Sequence, residues 1–384
     1  MSNELALFAV LCLIYVTDCV LWIGKQSFVF VTWVGRQWRG LAASQVFRIS
    51  EGGILLLNPF PPLGGVICCH LPPLSISPAG ICSLNSQALT DSVYPEQSVV
   101  AAPFEVISSI RVSGRDVWVN EERFCRCSDT QEANRISALI NALLDATAEE
   151  REIFIQQFWD EQFDYRAARA RFEQAVHQMT PLRVLCNILF VHLFALAPAL
   201  VLYFGMVGML IPLALAMLVI ALPISAGFYR LHKRLYPAEG EERISHLIKM
   251  MLCPPTSLRA CDLLTEGLLE NYNPLVVAHL LLSDNRYREF AVRTLRNLKY
   301  PPVDHSADRR IYEISSWQNN TLLRKASDYL RDIANLHEEL LLPPLPNEPD
   351  VRAYCPRCLS QFTRAKGNCS DCPGVKLTAF GGAA

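Results

Sequence analysis

From Val184 to Tyr229 the chain runs without a single Asp, Glu, Lys or Arg, and no other stretch limits its fold so severely. A bilayer core takes about 20 apolar residues per helix, at ~1.5 Å rise each. The run is too long for one span and fits two. Gly205-Met206-Val207-Gly208 is the natural turn, which predicts helices over 184–204 and 209–229. Unpaired backbone groups are too costly in lipid for an irregular crossing, so a helical hairpin over 184–229 is expected. The hydrophobic fraction of 51% and charged fraction of 19% lean the same way. A formal net charge of −2 gives no bulk attraction for nucleic acid, and no Lys/Arg block supplies a local one.

A second apolar run, Leu5 to Trp22, is interrupted by Asp18. No Lys or Arg precedes it, Glu4 is acidic, and no small-residue cleavage site follows closely, so residues 1–23 read as an uncleaved transmembrane anchor. Loop charges set the orientation. Lys25, Arg36 and Arg39 follow the first span, Arg166, Arg169, Arg171 and Arg183 precede the second, and Arg230, Lys233 and Arg234 follow the third. The expectation is three spans in the plasma (inner) membrane, amino terminus outside, with residues 24–183 and 230–384 in the cytosol. Asp18 and His192 are the ionisable residues inside the spans, and both lie near the cytosolic interface. Asp18 can snorkel there or pair with His192 between spans. Asn187 is suited to a helix–helix hydrogen bond.

Residues 24–147 read as a strand-rich cytosolic module. Short apolar runs alternate with turn signals: Gln45–Ile49 with Ile54–Leu57, Leu74–Leu84 broken at Ser77-Pro78-Ala79-Gly80, Phe104–Val112, and Val117–Val119 with Arg123–Cys127. A helix closes the module. Asp129 and Glu132 have capping-box spacing, and Ile136, Leu139, Ile140, Leu143 and Leu144 share one face. This order of strands and closing helix resembles pleckstrin-homology-like domains, which implies recognition of a lipid headgroup or a protein. Cys68-Cys69-His70 and Cys125-Arg126-Cys127 lack chelating spacing, because neighbours on a strand point to opposite faces and Cys125 with Cys127 makes only two ligands. Scattered cysteines in apolar runs are expected to act as small buried hydrophobes.

Residues 148–183 form an amphipathic stalk or interfacial helix whose basic end abuts the second span. Residues 237–345 form a helical cytosolic domain, punctuated at Pro254-Pro255, Asn273-Pro274, Pro301-Pro302 and Pro343-Pro344. Its apolar stripes are Leu258, Cys261, Leu264 and Leu268, then Tyr287, Phe290, Ala291, Leu295 and Leu298, then Leu322 through Leu340. Pro346–Asp350 reads as a linker. No phosphate cradle and no nucleophile elbow is present in the sequence.

The carboxyl terminus holds the most specific pattern. Cys355-Pro356-Arg357-Cys358 and Cys369-Ser370-Asp371-Cys372 give C-x2-C-x10-C-x2-C. Two thiolates on a tight knuckle can face one Zn²⁺ at ~2.3 Å, and two knuckles complete a tetrahedron, with Tyr354 and Phe362 placed to pack beside it. Residues 353–376 resemble a zinc ribbon, which implies a structural Zn²⁺ held by Cys355, Cys358, Cys369 and Cys372. Asn319-Asn320-Thr321 and Asn368-Cys369-Ser370 match glycosylation sequons, which the expected topology keeps from the glycosylation machinery.

The expected fold is therefore a multi-domain α+β integral membrane protein: three transmembrane helices, a strand-rich module, a small all-α domain and a zinc ribbon. No complete catalytic constellation is evident, so the leading expectation is a membrane anchor or scaffold that binds the lipid bilayer and presents cytosolic modules to a protein partner. A membrane-embedded enzyme using Asp18 and His192 is the alternative. A thiol-redox or metal-sensing membrane protein is the second.

Overall fold

The structure is a computed structural model that describes residues 10, 28–32, 45–48, 65–69, 71–83, 101–127, 130–237, 239–301, 309–336 and 342–380. Its first strands are β1 (Phe28–Thr32), β2 (Gln45–Arg48), β3 (Gly65–Cys69), β4 (Leu74–Ser77), β5 (Gly80–Ser83) and β6 (Ala101–Pro103). Then come β7 (Ile110–Ser113), β8 (Asp116–Val119) and β9 (Glu122–Arg126). The helices are α1 (Thr130–Leu144), α2 (Ala148–Gln162), α3 (Tyr165–Val191), α4 (Ala197–Phe204), α5 (Met206–Leu235) and α6 (Gly240–Leu252). They continue as α7 (Ala260–Thr265), α8 (Pro274–Leu281), α9 (Asp284–Lys299) and α10 (Arg309–Asp332). Short strands β10 (Ala353–Tyr354), β11 (Gln361–Phe362) and β12 (Thr378–Ala379) follow. The fold is thus mixed α/β with small sheets. Two compact units divide it, Met1–Leu71 with Arg166–Val277 and Pro72–Tyr165 with Ala278–Ala384. The stretch 24–147 contributes strands to both.

In the first unit, β1 is the central strand of an antiparallel sheet ordered β2-β1-β3. β3 is fixed to α7 and the residue after it. The Thr265 hydroxyl donates to the Val66 carbonyl (2.7 Å), and the Cys68 N–H donates to the Glu266 carbonyl (2.8 Å). Two helical stretches, Tyr165–Phe204 and Ile211–Leu235, are long and apolar enough to cross a membrane. Helices α4 and α5 meet at Gly205 alone, whose φ of 78° lies in the left-handed region that glycine enters without steric cost. The turn is thus tighter than the Gly205–Gly208 segment read from the sequence. Between α3 and α4 the rod widens into a π turn over His192–Leu196. After one residue, Ala197, comes Pro198. It has no N–H to give and its ring crowds the preceding turn, a conflict that the wider turn accommodates. Leu5–Trp22, with Asp18, lies outside the described residues apart from Val10.

The second unit builds its core from two antiparallel sheets, β4-β5-β6 and β7-β8-β9, together with α1, α2 and α10. Leu74, Ile76 and Ile81 from the first sheet, Val117 and Phe124 from the second, Ile136, Ile140 and Leu143 from α1, Trp159 from α2 and Leu322 from α10 are all buried in one cluster. Gln318 secures the seam, its Oε1 accepting from the Ile76 N–H at 2.6 Å. α2 starts at a complete capping box, in which Thr147 accepts from the Glu150 N–H while Glu150 accepts from the Thr147 N–H.

Candidate metal centre

The end of the second unit is a three-stranded antiparallel sheet ordered β11-β10-β12, carrying two knuckles. In the first, the Cys355 N–H donates to the Ser360 carbonyl and the Leu359 N–H returns to the Cys355 carbonyl, each at 2.9 Å. In the second, the Cys369 N–H donates to the Val375 carbonyl (2.9 Å) and the Val375 N–H to the Cys372 carbonyl (3.1 Å). Gly374, at φ 75°, supplies the left-handed residue that this second loop needs.

These loops aim four sulfurs at one point. The Sγ atoms of Cys355, Cys358, Cys369 and Cys372 all lie within 4.8 Å of one another, and those of Cys358 and Cys369 are 3.6 Å apart. Sulfurs around an ion at ~2.3 Å stand about 3.8 Å apart in a tetrahedron, so the spacing suits a metal ion. It is too wide for a disulfide, and all four cysteines are free. Among the described residues, this is where cysteine, histidine and acidic side chains gather closely enough to hold an ion. The chemistry of the donors agrees. Desolvation pushes the Cys369 and Cys372 thiols up. At Cys358 the same push is outweighed by hydrogen bonds from Ser360 and the neighbouring thiols, which bring that thiol down to about 7. Deprotonating four sulfurs this close creates strong repulsion, and a cation among them removes it.

The support around the sulfurs comes partly from far along the chain. Val375, Phe362, Leu377 and Tyr300 pack against the cysteines. Tyr354, expected beside the site, packs against Phe380 with ring centroids 5.1 Å apart and the planes tilted by 40°. Arg296 on α9 is buried, its Nη1 donating to the Pro356 carbonyl inside the first knuckle (2.9 Å) and its Nη2 to the Leu342 carbonyl (2.8 Å). Arg357 adds a bond from its Nε to Asn297 Oδ1 at 3.2 Å. The Pro346–Asp350 stretch therefore does not behave as a free linker. Gln361 ties it down, accepting from the Asn347 N–H and donating to the Leu345 carbonyl, each at 2.8 Å.

The other candidates read from the sequence fare differently. His192 is buried, and its Nε2 lies 3.2 Å from the Leu213 carbonyl on α5, a tie between the two apolar helices. Its proposed partner Asp18, and His70, lie outside the described residues. Asn187 Oδ1 is buried with no hydrogen-bond partner among the described residues. Cys68, Cys69 and Cys125 are buried and free, as small hydrophobes should be, and Cys127 is buried as well. Arg296 was not singled out from the sequence, since a lone arginine on an amphipathic helix carries no sign that it will serve distant carbonyls. Compared with known proteins, the chain matches no family model, no curated protein and no solved structure.

Proposed function

We propose that this chain is an integral membrane scaffold, without catalytic chemistry of its own, that presents protein-binding modules on the cytosolic face of the plasma (inner) membrane. In this reading Leu5–Trp22 adds a third span to the hairpin of α3–α5, the amino terminus lies outside, and residues 24–183 and 230–384 lie in the cytosol. The two sheets β4–β9 followed by α1 form, in this reading, the pleckstrin-homology-like module. Cys355, Cys358, Cys369 and Cys372 hold a structural Zn²⁺ in a zinc ribbon.

The observation that carries the reading is the closed donor set. Four converging thiols fill every position of a tetrahedral ion and leave none for substrate or water, so the centre shapes a surface. The test is a comparison of the wild-type chain with Cys369→Ser, both isolated from membranes. Zinc and a copurifying partner should be lost together in the variant, while both proteins resist carbonate extraction. An identical set of copurifying proteins in the two samples would refute the scaffold reading. Glycan found on Asn319 would reverse the orientation.

A further inference from the structure

The apolar surface of the first unit continues past the end of α5. Helix α6 begins at Gly240, just beyond Leu235, and packs back against the last turns of α5. The Arg243 guanidinium lies 5.5 Å from the Tyr229 ring centroid, and the His246 ring meets those of Phe228 at 6.0 Å and His232 at 6.5 Å. Met250 is buried on that side. The opposite face is bare. Ile244, Ile248, Met251 and Leu252 are 56%, 53%, 45% and 81% exposed, at the spacing of a single helical stripe. An open depression of about 460 Å³ runs over Glu241, Ile244, Ser245, Ile248 and Lys249.

Two features of the first unit bear on what covers this face. Phe228 belongs to the uncharged run, and from His246 to Leu252 a helix rises about 9 Å. The end of α6 stays close to α5, because the 3-10 turn Pro254–Arg259 that follows it packs against both helices, and Val219 and Leu222 of α5 are themselves exposed and apolar. Arg230, Lys233 and Arg234 on α5, with Lys249 on α6, are exposed cations of the kind that anionic headgroups attract. We infer that α6 is an interfacial helix, with its Ile244–Ile248–Leu252 face embedded at the acyl-chain boundary of the leaflet from which α5 emerges. This rests on the membrane reading of α3–α5 given above.

The test uses the full-length protein in phosphatidylcholine–phosphatidylglycerol vesicles that contain a phospholipid with an acyl-chain diazirine. After irradiation, adducts are mapped by peptide in the wild type and in Ile248→Glu. Leu345, 85% exposed in the other unit, serves as the internal reference for generic apolar labelling. Several-fold more adduct on Ile244, Ile248, Met251 and Leu252 than on Leu345 is expected, alongside labelling of residues 211–222. In Ile248→Glu the α6 adducts should fall several-fold while 211–222 stays labelled, which also shows that the variant inserts. Labelled 211–222 with α6 no higher than Leu345 overturns the inference and leaves the membrane reading standing. No adduct on 211–222 removes the membrane reading, and the inference with it.

Discussion

Cys69 on β3 and Cys355 at the first knuckle are both 0% exposed, yet one is packing material and the other belongs to a donor set. Burial does not separate them. What differs is the backbone. Extended β3 sends Cys68 and Cys69 to opposite sides, and burial pushes both thiols up, which keeps them neutral. Each C-terminal knuckle instead curls so that the first and fourth residues face the same point. Loop curvature, more than local polarity, turns a thiol from filler into a ligand.

The comparison breaks most readily at the metal. Cys369→Ser should abolish binding, because metal binding to a closed thiolate site contributes about 10 kcal/mol or more to folding in small modules. Elemental analysis should show the ion lost and hydrogen exchange should show residues 353–380 opened. Cys69→Ser should keep the ion, and a matching loss there would erase the distinction. A smaller effect is expected for Arg296→Ala. Two carbonyls lose a charged donor, costing about 3 kcal/mol, so the unfolding midpoint should fall while the ion stays bound. Cys69→Ala removes only a small buried apolar group and should cost about 1 kcal/mol with no change in metal content.

The gentlest probe is pH. Asp262 is fully buried with its Oδ2 3.1 Å from Arg259 Nε. Burial pushes its carboxyl from 3.8 up to about 7, against the pull of that guanidinium. The folded chain therefore keeps a proton on Asp262 that the unfolded chain releases across this window. Its stability contribution is full below the lower value and declines as pH rises towards the upper one. Thermal unfolding of the wild type and Asp262→Asn at several pH values should show a shallower decline in the variant.

Local features of the fold were legible in the sequence where the deciding chemistry sits in neighbouring residues. Ser113-Gly114-Arg115-Asp116 makes the hairpin between β7 and β8, with Gly114 at φ 60°. Ile136, Ile140 and Leu143 are fully buried on α1, and the spacing of the four C-terminal cysteines announced their convergence. Phe104–Val112 misled as a single strand, since Phe104–Val106 forms a 3-10 turn and the strand itself runs over Ile110–Ser113. The side chain of Asn120 holds that turn in place. It accepts from the Ser108 N–H at 2.7 Å and donates to the Val106 carbonyl at 2.7 Å. The stripe read from Leu322 outlasts its helix, which ends at Asp332 where Asn335 adopts φ 52° and the Leu336 N–H caps the Leu330 carbonyl (2.8 Å), while Leu340 lies outside the described residues. Arg296 and Gln318 stayed hidden for the same reason: their partners are backbone groups brought close only by the finished fold.

The widened turn at His192–Leu196 acts as a phase shifter. A turn of this kind carries one residue more than an α-turn, so everything beyond it is swung by roughly 100° about the axis. Deleting one residue there would barely change the hydropathy of the run, yet it would re-aim Leu202, Tyr203 and Phe204 towards a different quadrant. The direction those rings face is thus encoded by chain length at a single point.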